Sequence, residues 1–156
     1  MNSLVQEELP GSQDLRDQLM GMISDQDLAY KLPGSNPTLG ELCEEMGHIQ
    51  QVYIRSLQTY KQDWGYRDAQ PDVANSVASL TAWYKKLDAE LFEALSEFSE
   101  EDIHNKQIDR GQGFTPSLYI QFLIYHEALL IFYAKASVYL KALDKPYPDQ
   151  WKVGIG

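Results

Sequence analysis

The chain has 156 residues, with 23 acidic side chains against 13 basic ones and a formal charge of −10. That balance excludes a phosphate backbone as partner, because nucleic-acid binding needs clustered Lys and Arg and the only adjacent basic pair is Lys85-Lys86. Length predicts one domain over 1–156. Short apolar runs predict no membrane span. The opening MNSLVQEELPGSQ lacks signal-peptide character, and a lone cysteine, Cys43, fits a reducing compartment, so cytoplasm is the expected location.

In chain order, a short N-terminal turn is broken at Leu9-Pro10-Gly11. A first helix is predicted over roughly 12–23, with Ser12 as cap and Leu15, Leu19, Met22 and Ile23 at helical spacing. Ser24-Asp25-Gln26-Asp27 reads as the cap of a one-turn helix, and 32–37 as loop. Thr38 and Glu41 form a capping box that opens helix two, whose apolar stripe is Leu39, Leu42, Met46, Ile49, Tyr53 and Leu57, ending near Tyr60. His48 lies on the flank of that stripe, with Glu45 one turn before it. Residues 61–71 are a connection. Helix three is expected from about Asp72, with Val73, Val77, Leu80, Tyr84, Leu87, Leu91, Leu95 and Phe98 along a bundle seam. Ser99 to Asp102 caps another short turn, and 105–113 is polar loop.

The last long helix is the most informative stretch. Thr115-Pro116 is read as its cap and first position, and FTPSLYIQFLIYHEALLIFYAKASVYLKAL is apolar on nearly every side, which marks a helix buried by several neighbours. At about 100° per residue, His126 shares a stripe with Tyr119, Phe122, Leu130, Tyr133 and Ser137, which points to a pocket. Residues 145–151, with two prolines, are expected to be non-helical and to cross the bundle surface or its mouth, with Trp151 as a plug. The whole predicts an all-α four-helix bundle. An internal echo runs through it: Ser24-x-x-Asp27 precedes Thr38 and His48, and Ser99-x-x-Asp102 precedes Thr115 and His126, at similar depths.

The stretch SDQDLAYKLPGSNPTLGELCEEMGHIQQ, with YHEALLIFYAKASVYLKAL and KPYPDQW after it, resembles the DinB/YfiT-like superfamily over about 15–151. That resemblance implies a helical bundle of the kind that includes metal-dependent enzymes and bacillithiol, mycothiol or glutathione S-transferases. It also implies a metal site of three histidines, one on helix two and two at i, i+4 on helix four. By position, His48 and His126 match the first two, and the third falls on Leu130, which cannot ligate.

Imidazole suits zinc, nickel or iron, and a catalytic zinc normally keeps three protein ligands. Glu45 is the first substitute for the missing ligand and His104 the second. A histidine on an apolar face is also served by hydrogen bonds in a core, here from Tyr53, Tyr119 or Tyr133. Cys43 has no charged neighbour in sequence to lower its pKa and reads as a small buried residue. Three readings stay open. One is a protein that binds a small apolar ligand beside Tyr53, Tyr119, Phe122, Leu130, Tyr133 and Trp151, with a degenerate metal site. The second is a thiol S-transferase-like enzyme using a divalent metal on His48 and His126. The third is an oligomerisation module with core histidines only. A homodimer is expected under each.

Overall fold

A computed structural model describes residues 1–68 and 72–156; the end of the predicted connection, 69–71, lies outside them. The helices are α1 (Asp14–Met22), α2 (Asp25–Leu28), α3 (Leu39–Thr59), α4 (Val77–Ser96), α5 (Glu100–Asn105), α6 (Leu118–Ala142) and α7 (Asp149–Gly154), with a π-helical turn at Leu4–Glu8 and a 3-10 turn at Val73–Asn75. Among the described residues there is no strand, only isolated bridges Lys31–Thr38, Lys61–Asp109 and Gln107–Ser117. The protein is all-α.

The long helices α3, α4 and α6 pack together, and α1 lies against α4. The core is the seam the periodicity predicts on α4, where Leu80, Tyr84, Leu87, Leu91 and Leu95 are buried. It meets Leu42, Met46, Tyr53 and Leu57 of α3. On α6 the buried stripe is Leu118, Phe122, Tyr125, Leu129, Phe132, Ala136 and Leu140. Two glycines let backbones close up. A Cβ on Gly40 would lie 1.9 Å from the carbonyl oxygen of Ala74, so the 3-10 turn rests on bare backbone. A Cβ on Gly47 would lie 2.2 Å from the Trp83 ring, which covers α3 there.

Four boundaries differ from expectation. α1 opens at Asp14 with Gln13 before it, and the Ser12 hydroxyl donates to Leu9 C=O at 2.8 Å instead of capping the helix. α6 opens at Leu118 with Ser117 as cap, its hydroxyl accepting from the Ile120 N–H, and not at Thr115. The pre-proline position holds Thr115 out of helical geometry, and Pro116 C=O accepts from the Ile108 N–H, which keeps the segment extended. α4 opens at Val77, after Asp72 in a left-handed conformation and the 3-10 turn, with Ser76 capping Ser79. The last segment does become helical: Pro148 is extended and stands as N-cap, so the two prolines precede α7 instead of interrupting it.

The internal echo is physical. Ser24 with Asp27 and Ser99 with Asp102 both form complete capping boxes, on α2 and α5. Each one-turn helix then bridges back to the cap of the next long helix. Leu39 N–H donates to Tyr30 C=O at 2.9 Å, and Leu118 N–H donates to Lys106 C=O at 3.1 Å.

Candidate functional site

His48 sits on the α4 side of α3, its ring edge-on to Trp83 with centroids 5.2 Å apart. Both nitrogens have partners on its own helix: Nδ1 lies 3.1 Å from Gln51 Oε1, and Nε2 lies 3.5 Å from Glu44 Oε1. Ile49, about 100° further round the helix, is the residue that faces α6. His126 is half-buried on α6. Its stripe turns to the N-terminal segment: the Tyr119 hydroxyl donates to Glu8 at 3.3 Å, and the Tyr133 hydroxyl donates to Ser12 C=O at 3.2 Å.

The two histidines also differ in depth. Recesses between α3 and α6 pair Leu42 and Glu45 with Lys135 and Val138, then Ile49 with Ile131, then Leu57 with Phe122, so the helices run antiparallel. On that register His48 is level with Phe132 and His126 with Ile54, about 9 Å apart along the axis at 1.5 Å per residue. The echo is also inexact. Counted from Leu39 and Leu118, the repeat makes His48 equivalent to Glu127 and His126 equivalent to Gly47, one residue and about 100° out.

Leu130, the third position implied by the resemblance, is 45% exposed. Glu45 is exposed and turns toward α6, not toward His48. His104 pairs on the surface with Glu100 at 3.0 Å. Among the described residues no three His, Cys, Asp or Glu side chains come together in a way that could hold a metal ion. The donor set does not fit the three-ligand site, and no chemical step is derived through a metal.

The other expected pocket residues divide. Tyr53, Phe122, Tyr133 and Trp151 are buried, and Tyr119 is half-buried against His104. Trp151 is fully buried and donates from Nε1 to Leu15 C=O at 3.2 Å, so it packs α7 onto α1. Tyr53 and Phe122 border a void of about 10 Å³, the size of one water, with Leu57, Leu91, Gln121 and Tyr125. Leu130 belongs to neither group. It faces solvent because the buried stripe of α6 runs through Tyr125 and Leu129, not through His126.

The larger recess is elsewhere. An open groove of about 280 Å³ lies between the start of α3 and the second half of α6, walled by Leu32, Pro37, Leu42, Val138 and Tyr139. Asn36, Glu45 and Lys135 supply its polar groups. Tyr139 is fixed there because its hydroxyl donates to Pro37 C=O.

A buried polar network also went unread in the sequence. Arg16 of α1 is wholly buried and donates to Gln13 Oε1 at 2.8 Å, to Gln50 Oε1 and to Asp88 Oδ1, with its guanidinium 4.0 Å over the Tyr84 ring. Gln13 Nε2 donates in turn to the Tyr125 hydroxyl. The signal was available: Arg16 follows Leu15 in the apolar stripe of α1, and Asp88 sits between Tyr84 and Leu91 in the seam of α4. Opposite charges on two facing seams are the mark of a buried pair. Burial pushes the hydroxyls of Tyr84, Tyr125 and Tyr133 well up and the Cys43 thiol up to about 12. Near neutral pH these groups hold hydrogen bonds and do not exchange protons.

No helix among the described residues is long and apolar enough to cross a membrane. No family model matches the sequence, and no curated protein matches it. Solved structures do resemble it. A DinB-like protein, YjoA, from Bacillus subtilis superposes with a TM-score of 0.71 at 14% identity, over 94% of this chain and 97% of its own. A DinB-like protein from Bacillus cereus ATCC 10987 gives 0.75 at 14% identity, over 92% and 93%. At that identity the likeness is one of backbone architecture, and the fold of this chain is DinB-like.

Proposed function

We propose that this DinB-like four-helix bundle binds a small, largely apolar molecule in the groove between α3 and α6, and that the histidine positions of the superfamily no longer form a metal centre. The observation that carries the reading is the groove itself. Its walls are apolar, and the few polar groups at its rim, Asn36, Glu45 and Lys135, are of a kind that orients a ligand. The metal reading is weaker on chemistry: Leu130 has no donor atom, and the ring nitrogens of His48 are engaged by Gln51 and Glu44.

The groove is tested with 8-anilinonaphthalene-1-sulfonate, an apolar anion, titrated at low micromolar protein. The wild type should give saturable fluorescence enhancement. Val138→Asp, on the exposed wall, should weaken it at least tenfold, and Ile120→Asp, on the same helix but away from the groove, should leave it unchanged. Equal binding by all three proteins removes the groove reading. Elemental analysis of the untagged protein tests the metal half. Substoichiometric zinc, nickel and iron are expected, and Leu130→His alone should not raise zinc affinity. Stoichiometric metal that disappears in His48→Ala would restore the enzyme reading.

A further inference from the structure

A second recess, opposite in character to the groove, lies on the other flank of α3, where that helix meets α4. It holds about 260 Å³, and of its walls only Ile54 is aliphatic. Gln51, Arg55 and Gln58 come from α3, Glu90 from α4, and Tyr66 and Asp68 from the connection after α3. Charges of both signs face this one space without closing on each other. Arg55 makes no ion pair and no side-chain hydrogen bond among the described residues; its guanidinium stacks on the Tyr66 ring, 5.4 Å from the centroid. Asp68 has no ionic partner among them either, and Glu90 has only Lys86, at 3.7 Å on its own helix.

Gln51 is the group that a merely solvated surface does not explain. It is only 6% exposed, yet it lines the recess. Its Oε1 lies 3.1 Å from His48 Nδ1, which fixes the amide, and its Nε2 has no acceptor among the described residues. Buried amide donors are nearly always satisfied, so a donor held in this way calls for an acceptor from outside the chain. Arg55 calls for the same partner, since a guanidinium fork held on an aromatic ring matches a carboxylate. Across the space, Glu90 and Asp68 call for a cation. A further recess of about 180 Å³ adjoins at Gln58 and Glu90 and adds Glu93 and Glu97, so that end is strongly acidic.

We infer that this recess binds a small zwitterion of the free amino-acid class, its carboxylate on Arg55 and Gln51 and its ammonium on Glu90 and Asp68. Simpler guests are rejected on charge. A plain carboxylate would meet Asp68, Glu90, Glu93 and Glu97 against one guanidinium, on a chain of net charge −10. A plain amine would sit beside Arg55 and leave the Gln51 donor unsatisfied. A guest with both charges avoids both repulsions, and setting an opposing charge against each half-molecule is how a site discriminates between near neighbours. With Ile54 as the one aliphatic wall and Gln58 and Tyr66 beside it, the remaining space suits a short or polar side chain. The apolar groove uses Leu42 and Glu45, on the α6 side of α3, so the two sites are independent.

The experiment is a nuclear magnetic resonance titration of the ¹⁵N-labelled full chain at pH 7, following the Gln51 side-chain amide and the Arg55 Nε–H. The probes are L-alanine and L-glutamine up to 50 mM, with propionate and ethylammonium as the two halves of alanine. At least one amino acid should shift both signals saturably, and each half-molecule should bind at least tenfold more weakly than alanine. Arg55→Gln, at an exposed position, and Glu90→Gln should each weaken amino-acid binding at least tenfold with circular dichroism unchanged; in Arg55→Gln the Gln51 amide is the reporter. Val138→Asp, which alters the groove, should bind the amino acid as the wild type does. No saturable shift from either amino acid by 50 mM would overturn the inference. So would a half-molecule that binds as tightly as alanine, or binding untouched by both Arg55→Gln and Glu90→Gln. Dye binding reports on the groove separately, so loss of one reading leaves the other standing.

Discussion

Asp88→Ala should be among the most damaging single polar substitutions in the protein, and worse than removing its partner Arg16. The asymmetry follows from burial. Arg16 is 0% exposed, and the side chain of Asp88 is 31% exposed. Without Asp88 the guanidinium stays buried with only the neutral oxygens of Gln13 and Gln50 as acceptors, its Nε already without a partner among the described residues. Breaking a buried pair this way costs about 3–5 kcal/mol, and the two glutamine acceptors argue for the lower end, about 3 kcal/mol. In a chain of this length that is about 6–12 °C in Tm. Arg16→Met keeps most of the packed volume and lets Asp88 rehydrate. Its cost is the glutamine acceptors left short of donors, about 1–2 kcal/mol. Urea unfolding followed at 222 nm should therefore rank Asp88→Ala well above Arg16→Met. The double variant should be less destabilised than the sum by about 1–3 kcal/mol. Arg16→Met as costly as Asp88→Ala, or strict additivity, would refute the picture of a stranded cation.

Other expectations follow from single contacts. Gly47→Ala pushes a methyl group into Trp83, and the overpacking cost of about 1–3 kcal/mol should exceed the gain of about 1 kcal/mol in helix propensity; a more stable Gly47→Ala in thermal unfolding would contradict the close approach. Cys43, buried with its thiol pushed up to about 12, should react with dithionitrobenzoate at pH 8 only as fast as the chain opens, and at once in urea; fast native labelling would mean the thiol is accessible. Burial raises the Asp27 carboxyl, but the Lys145 ammonium and the Ser24 hydroxyl and N–H outweigh it and hold the group below the ordinary aspartate value. A depressed folded value means that this contact stabilises the protein above about pH 4 and that the gain is lost as pH falls through the lower folded value. Lys145→Met should flatten the fall of Tm below pH 4, and an unchanged slope would assign that fall to other carboxylates.

What could be read in the sequence was local. Ser24, Thr38 and Ser99 announce their capping boxes within four residues, and α4 shows its seam because its other face is polar. α6 was harder for a physical reason. A helix with apolar residues on every side offers several stripes at helical spacing, and the one through His126 competes with the one through Tyr125 and Leu129 that the core selects. The stripe through His126 points the expected pocket toward Leu130, which is exposed. The groove at Leu42 and Val138 was out of reach of pattern reading because it depends on the loop at 32–37, whose path is set by the bridge between Lys31 and Thr38.

The ties between that loop and α6, and their counterpart at the other end, have a mechanical consequence. α3 and α6 run antiparallel; at one end the Tyr139 hydroxyl joins α6 to the loop before α3, and at the other the Asp109 N–H donates to Tyr60 C=O while Asp109 C=O accepts from the Gln62 N–H, joining the end of α3 to the loop before α6. Sliding one helix along the other would have to break a tie at whichever end it moved toward. Shear is a motion by which packed helices adjust to a guest, and here hydrogen bonds at both ends oppose it. A molecule bound in the proposed groove would therefore meet walls close to their final positions. Such a ligand would lose little affinity to rearrangement and would be selected by shape rather than accommodated.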